Sequence, residues 1–194
     1  MMKKLTLSIA LATLAGPALA HTGHGDAFGF AHGLAHPIGG ADHLLAMLAV
    51  GLWSGFVLPQ RFWLGAAAFM AAMVVGAGLA WSGIGLPLVE GGIVASVLVF
   101  GVIMLVSRKG QADWMTKASL AAIAVFAALH GQAHATEATG AVALYLGGFL
   151  ISTAALHITG IVIARMVARS AQAGRVQQAL GAAIAAAGAF LMVG

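Results

Sequence analysis

Six long apolar runs, parted by short polar gaps, dominate this chain and leave it little choice of fold. They cover residues 37–57, 62–81, 87–106, 118–134, 141–164 and 176–192. A helix rising about 1.5 Å per residue needs about 20 such residues to cross a hydrocarbon layer about 30 Å thick. In lipid every backbone N–H and C=O must be satisfied within its own element, and for runs this continuous the helix does that. The expected fold class is therefore an all-α membrane protein: a bundle of six transmembrane helices.

The composition agrees. Hydrophobic residues make up 61% of the chain and charged ones only 7%, outside the range of a water-soluble domain. The net charge of +4 does not gather into a basic face, so nucleic acid is not an expected partner; the lipid bilayer is. With no Cys, disulfides and thiolate metal sites are excluded, and a bound metal would need imidazole, carboxylate, amine or backbone oxygen. No phosphate-binding loop motif occurs, so neither a nucleotide nor an organic cofactor is expected.

Residues 1–20 read as a cleaved signal peptide rather than a span. Lys3 and Lys4 precede the short apolar stretch LTLSIALATLAG, and Ala18-Leu19-Ala20 has the small-x-small cleavage pattern. Residues 21–36 then form a His-containing N-terminal arm, and residues 37–194 the membrane domain. Beyond the signal the cations fall in three gaps only: Arg61; Arg108, Lys109 and Lys117; Arg165, Arg169 and Arg175. The alternate gaps carry none, which assigns the three basic loops to the cytoplasm. The chain is thus expected in the bacterial inner membrane, multi-pass, with both mature termini periplasmic.

Against this apolar background the polar groups stand out. His36-Pro37-Ile38-Gly39-Gly40-Ala41-Asp42-His43 places two imidazoles and a carboxylate where the first span begins. An Asp at the centre of a span costs about 2.5–3.5 kcal/mol on insertion scales, less near the interface, so a compensating partner such as a metal cation is expected. Pro37 fits the first turn of that helix with His36 near its cap. His43, two turns on, would face the same side, with Asp42 ligating directly or orienting His43. In the fourth run His130 and His134 stand at i, i+4, a spacing that lets two imidazoles share one ion. The main metal site is accordingly expected at His36, Asp42, His43, His130 and His134, at the outer ends of spans one and four.

Five further residues are secondary candidates. His21, His24 and His32, with Asp26 among them, lie on the arm, which reads equally as a collecting segment or a polar tail. Glu137 is expected in a loop, as ligand, orienting partner or solvated charge. His157 falls about sixteen residues into the fifth run, roughly 24 Å deep, and is expected to sit apart as an inner relay or a hydrogen-bonded structural residue. HGLAH at 32–36 recurs as HGQAH at 130–134, a trace of internal repetition or a coincidence in an Ala/Gly-rich chain. Glycine and alanine crowd the spans and predict close helix packing, and Trp53, Trp63, Trp81 and Trp114 fall near span ends as an interfacial belt would.

HPIGGADHLLAMLAVGLW, with LHGQAHATE and STAALH further on, resembles the HupE/UreJ family of bacterial secondary nickel transporters over essentially the whole mature chain. The resemblance implies metal handling by His36, Asp42 and His43 and by the element holding His130, His134 and Glu137. Ala135 stands where many members have Gly. It further implies uptake of Ni²⁺, with Co²⁺ in some members, for hydrogenase or urease maturation. Chemistry alone admits Ni²⁺, Co²⁺, Zn²⁺ or Cu²⁺ at an imidazole–carboxylate site. The expected function is a secondary, non-ATP-driven transporter rather than an enzyme, and a homo-oligomer is compatible with it. A membrane metal sensor or scavenger and a His-box di-metal enzyme are the alternatives.

Overall fold

The structure, a computed structural model, describes residues 26–138 and 141–193. Residues 1–20, read above as a signal peptide, and His21 and His24 lie outside the described residues. Seven helices and no strand occur among the described residues: α1 (Asp26–Gly39), α2 (Ala41–Val57), α3 (Leu64–Trp81), α4 (Val89–Val106), α5 (Asp113–Glu137), α6 (Val142–Val167) and α7 (Ala173–Val193). The last five are each long and apolar enough to cross a membrane, and α1 with α2 makes a sixth candidate, broken by a 78° bend. The multi-pass, all-helical expectation holds.

The start of the first span differs from expectation. Pro37 lies inside α1 near its C-terminal end, and the helix that dives into the bundle begins at Ala41, after Gly40 in an extended conformation (φ −102°, ψ 127°). Consecutive glycines at 39 and 40 disfavour helix, and the chain turns there. The division expected at residues 36 and 37 consequently falls within α1. Part of the segment read as an arm is helical and packs on α6, where a Cβ at Gly33 would strike the Tyr145 carbonyl and one at Gly148 the Phe30 carbonyl. The fourth span is also longer than expected, because α5 opens with the polar turn Asp113-Trp114-Met115-Thr116-Lys117 and continues through Glu137.

Helix α2 is the centre of the bundle. From Ala46 to Val57 every residue but Leu48 is buried. Small residues bring its neighbours close, as expected for association in lipid. Gly51 of α2 faces the His157 carbonyl of α6, and Gly160 of α6 faces the Leu48 carbonyl. Gly76 and Gly131 do the same for α3 and α5, and Gly101, Gly181 and Gly188 for α4 and α7. Polar groups at the inner ends of helices are satisfied by side chains: Gln177 donates to the Met104 and Ser107 carbonyls at 2.9 and 2.7 Å, and the Gly65 N–H donates to Ser54 Oγ at 3.1 Å.

Trp63, Trp81 and Trp114 are exposed near helix ends, as a belt requires. Trp53 is not: it is 1% exposed, and its Nε1–H donates to Ser107 Oγ at 3.0 Å, so it is a core residue. Arg61, Arg108, Lys109, Lys117, Arg165, Arg169 and Arg175 all lie at one end of the bundle, in the α2–α3, α4–α5 and α6–α7 connections and the helical turns beside them. The bend at Gly40 and the α5–α6 connection form the opposite end, and the histidines gather there.

Candidate metal centre

Three elements meet at that end. The last turn of α1 carries His36, the first turn of α2 carries Asp42 and His43, and the last two turns of α5 carry His130, His134 and Glu137. One ligand atom from each of His36, His43 and His134 lies within 4.8 Å of the others, and together they could hold a metal ion. Ring centroids are 5.7 Å apart for His36–His43, 4.8 Å for His36–His134 and 4.7 Å for His43–His134. Imidazole nitrogens about 2.0–2.1 Å from one metal lie roughly 3–3.5 Å apart, so the three rings would draw in slightly on binding.

His36 and His43 do not meet by sharing a helix face, as the sequence suggested. They meet because the bend folds the end of α1 over the start of α2. Gly40 makes the turn possible at close quarters, since a Cβ there would lie 2.7 Å from Asp42 Oδ1 and 3.2 Å from His43 Nδ1. Asp42 acts on its neighbour: Oδ1 accepts from the His43 backbone N–H and from Nδ1–H, each at 2.8 Å. A carboxylate only accepts when ionised, so this pairing puts the proton on Nδ1 and leaves Nε2 as a bare lone pair, the ligating form. His43 Nε2 is buried and has no hydrogen-bond partner. Of the two roles open to Asp42, the geometry favours orienting His43.

Glu137 is not in a loop. It is the last residue of α5, and its Oε2 lies 3.4 Å from His36 Nε2 and 3.3 Å from His134 Nδ1, with the side chain 47% exposed. It thus forms the wet rim of the cluster, beside His36, whose side chain is 27% exposed. His134 is 1% exposed and packs against Phe149 at 3.9 Å between centroids, the rings tilted by 38°. Tyr145, on the same face of α6, borders His32 and His36.

His130 stands one turn deeper than His134. Its ring is 5.0 Å from that of His43, but its Nδ1–H donates to the Phe126 carbonyl of its own helix at 3.0 Å, and it is not part of the three-histidine group. Of the pair spaced at i, i+4, the three-histidine group thus takes in His134 and not His130. His32 is exposed, with its ring 5.8 Å from that of His36. His157 is fully buried and apart from the cluster, its Nδ1 donating to the Met47 carbonyl at 2.8 Å. Phe69 went unnoticed in the sequence, where it is one phenylalanine among nine; it packs edge-on against both His130 and His157.

A family model described as HupE / UreJ protein matches residues 9–191. The chain belongs to the HupE / UreJ family. Protein HupE of Rhizobium leguminosarum bv. viciae is 37% identical over 201 residues, with all of both chains covered. No solved structure matches. The family is related to hydrogenase and urease accessory nickel and cobalt transport. The cluster of imidazoles at one end of a multi-pass helical bundle suits metal handling by a HupE / UreJ protein.

Proposed function

We propose that this chain is a secondary transporter that carries a divalent transition metal, foremost Ni²⁺, from the periplasm into the cytoplasm. The observation that carries the reading is the convergence of His36, His43 and His134 from three helices, with buried nitrogens of His43 and His134 lacking partners, at the bundle end opposite every basic side chain among the described residues. The basic end belongs in the cytoplasm, so the cluster faces the periplasm and receives the ion there. Glu137 at the rim and Asp42 behind His43 supply negative charge against the cation's desolvation, and the imidazoles favour a borderline metal over Mg²⁺ or Ca²⁺. Nickel rather than zinc or copper rests on the family; imidazole and carboxylate ligands accept all three.

Purified protein in sealed liposomes tests this with radioactive nickel. Time-dependent accumulation in the lumen, saturable and abolished by His43→Ala, is the expected result. Binding that saturates at a fixed ratio to protein without luminal accumulation would instead identify a sensor or scavenger.

A further inference from the structure

Below the outer cluster the bundle holds more imidazole nitrogens than packing can explain. His130 and His157 are at most 1% exposed, and each gives its Nδ1–H to a backbone carbonyl, Phe126 at 3.0 Å and Met47 at 2.8 Å respectively. A carbonyl oxygen only accepts, so in both rings the proton sits on Nδ1 and Nε2 is a lone pair. Both Nε2 atoms are buried and unpartnered. His43 has the same arrangement, with Asp42 in the carbonyl's place. An unsatisfied buried acceptor is costly, and a carbonyl or carboxylate behind Nδ1 is how metal-binding histidines are held.

The three rings descend the bundle. His43 is in the first turn of α2, and the Met47 carbonyl that fixes His157 is about one turn, or roughly 6 Å, further along that helix. On α6, Phe149 packs against His134 of the outer cluster, and Thr153 and His157 follow at intervals of four on the same face. Thr153 is 0% exposed, and its hydroxyl oxygen is also buried without a partner. Phe69 of α3 touches both His130 and His157, with ring centroids 5.4 Å from the first and 4.9 Å from the second. Phe69 is 0% exposed and backed by Phe100 at 6.5 Å.

We propose that His157, with Thr153 beside it, is a second, inner station for the transported divalent metal, and that the Phe69 ring is the gate separating it from His130 and the outer cluster. This rests on the transport reading. A purely structural His157 accounts for the Nδ1 bond and leaves Nε2 and the Thr153 hydroxyl unexplained. With the ring in place the outer ions meet an aromatic barrier, and a movement of the Phe69 ring would open the way from His130 to His157. Binding at two successive weak sites lets an ion leave as readily as it arrives.

His157→Asn tests the station, because the Asn amide nitrogen occupies the place of Nδ1 and can still donate to Met47, while nothing replaces Nε2. Nickel binding to detergent-purified protein and nickel uptake into liposomes are read side by side. The expected result is nickel affinity at the outer cluster within about two-fold of wild type and a maximal uptake rate lowered at least about ten-fold. Wild-type uptake by the Asn variant would overturn the station. Phe69→Leu keeps most of the packing and thins the barrier, so it should raise the uptake rate, and an unchanged or lower rate would overturn the gate. If the Asn variant does not fold, Phe69→Trp decides in its place: a thicker barrier must slow uptake with outer binding unchanged, and a wild-type rate would refute the path between the two histidines. Failure of the wild-type protein to accumulate nickel would refute transport itself, a separate result from any of these.

Discussion

Asp42 shows how one contact sets a residue's role. Its Oδ1 holds both the backbone N–H and the Nδ1–H of His43, so its effect on a metal passes through that ring. Asp42→Asn keeps an oxygen in place and loses the charge, and changes of this kind behind a ligating histidine lower metal affinity by about 10–100-fold. The expected outcome is that loss in a nickel titration, with helical circular dichroism unchanged. His43→Ala removes the ligand and should cost more, and adding Asp42→Asn to it should cost little further, because both changes act on one interaction. Full additivity in the double variant would show that Asp42 does not act through His43.

Among elements, the decisive one is the break between α1 and α2. Gly39 and Gly40 are adjacent and chemically identical, yet their surroundings differ: a Cβ at 39 meets nothing within 4 Å, whereas one at 40 meets the Asp42–His43 pair. Gly40 has φ −102° and ψ 127°, which alanine adopts freely, so any effect of Gly40→Ala comes from crowding and not from backbone strain. Gly40→Ala should weaken nickel binding by about ten-fold or more as it displaces the Asp42–His43 pair. Gly39→Ala should bind as wild type and melt at the same temperature or slightly higher, since alanine favours helix by about 1 kcal/mol over glycine. Equal nickel affinities for the two variants would show that the bend does not shape the site.

For the whole molecule, the separation of charge and imidazole sets the expected orientation. The basic residues at one end of the bundle and the cluster at the other predict that a reporter fused after Gly194 is periplasmic, and that one inserted after Gly110 in the α4–α5 turn is cytoplasmic. N-terminal sequencing of the membrane-purified protein should start at His21. The opposite reporter pattern would turn the cluster toward the cytoplasm and make the proposed flow an efflux.

The helices from α3 to α7 were legible because lipid demands long, continuous apolar runs with the charges between them, and such runs can be read one at a time. The histidines likewise stand out locally, since imidazole in an apolar helix is conspicuous wherever it occurs. Local reading expected them to converge but not which rings meet. The spacing of His130 and His134 suggested a shared ion, and the spacing of His36 and His43 a shared face. In the fold, His134 joins His36 and His43 while His130 turns inward, and Glu137 comes out of its expected loop to the rim of the cluster. Pro37 and the two glycines were visible, yet whether they start a helix or break one depends on whether α6 offers α1 a surface, and Gly148 provides it by letting the backbone approach. Phe69 gains its place between two histidines only when α3, α5 and α6 pack together. The sequence alone determined that the chain is a multi-pass helical bundle, where its charges lie along the chain and what chemistry is available for a metal, because hydropathy and charge act residue by residue. Only the tertiary structure decided which nitrogens face one another, because ring orientation is set by carbonyls and carboxylates on helices distant in the chain, such as the Met47 oxygen that holds His157.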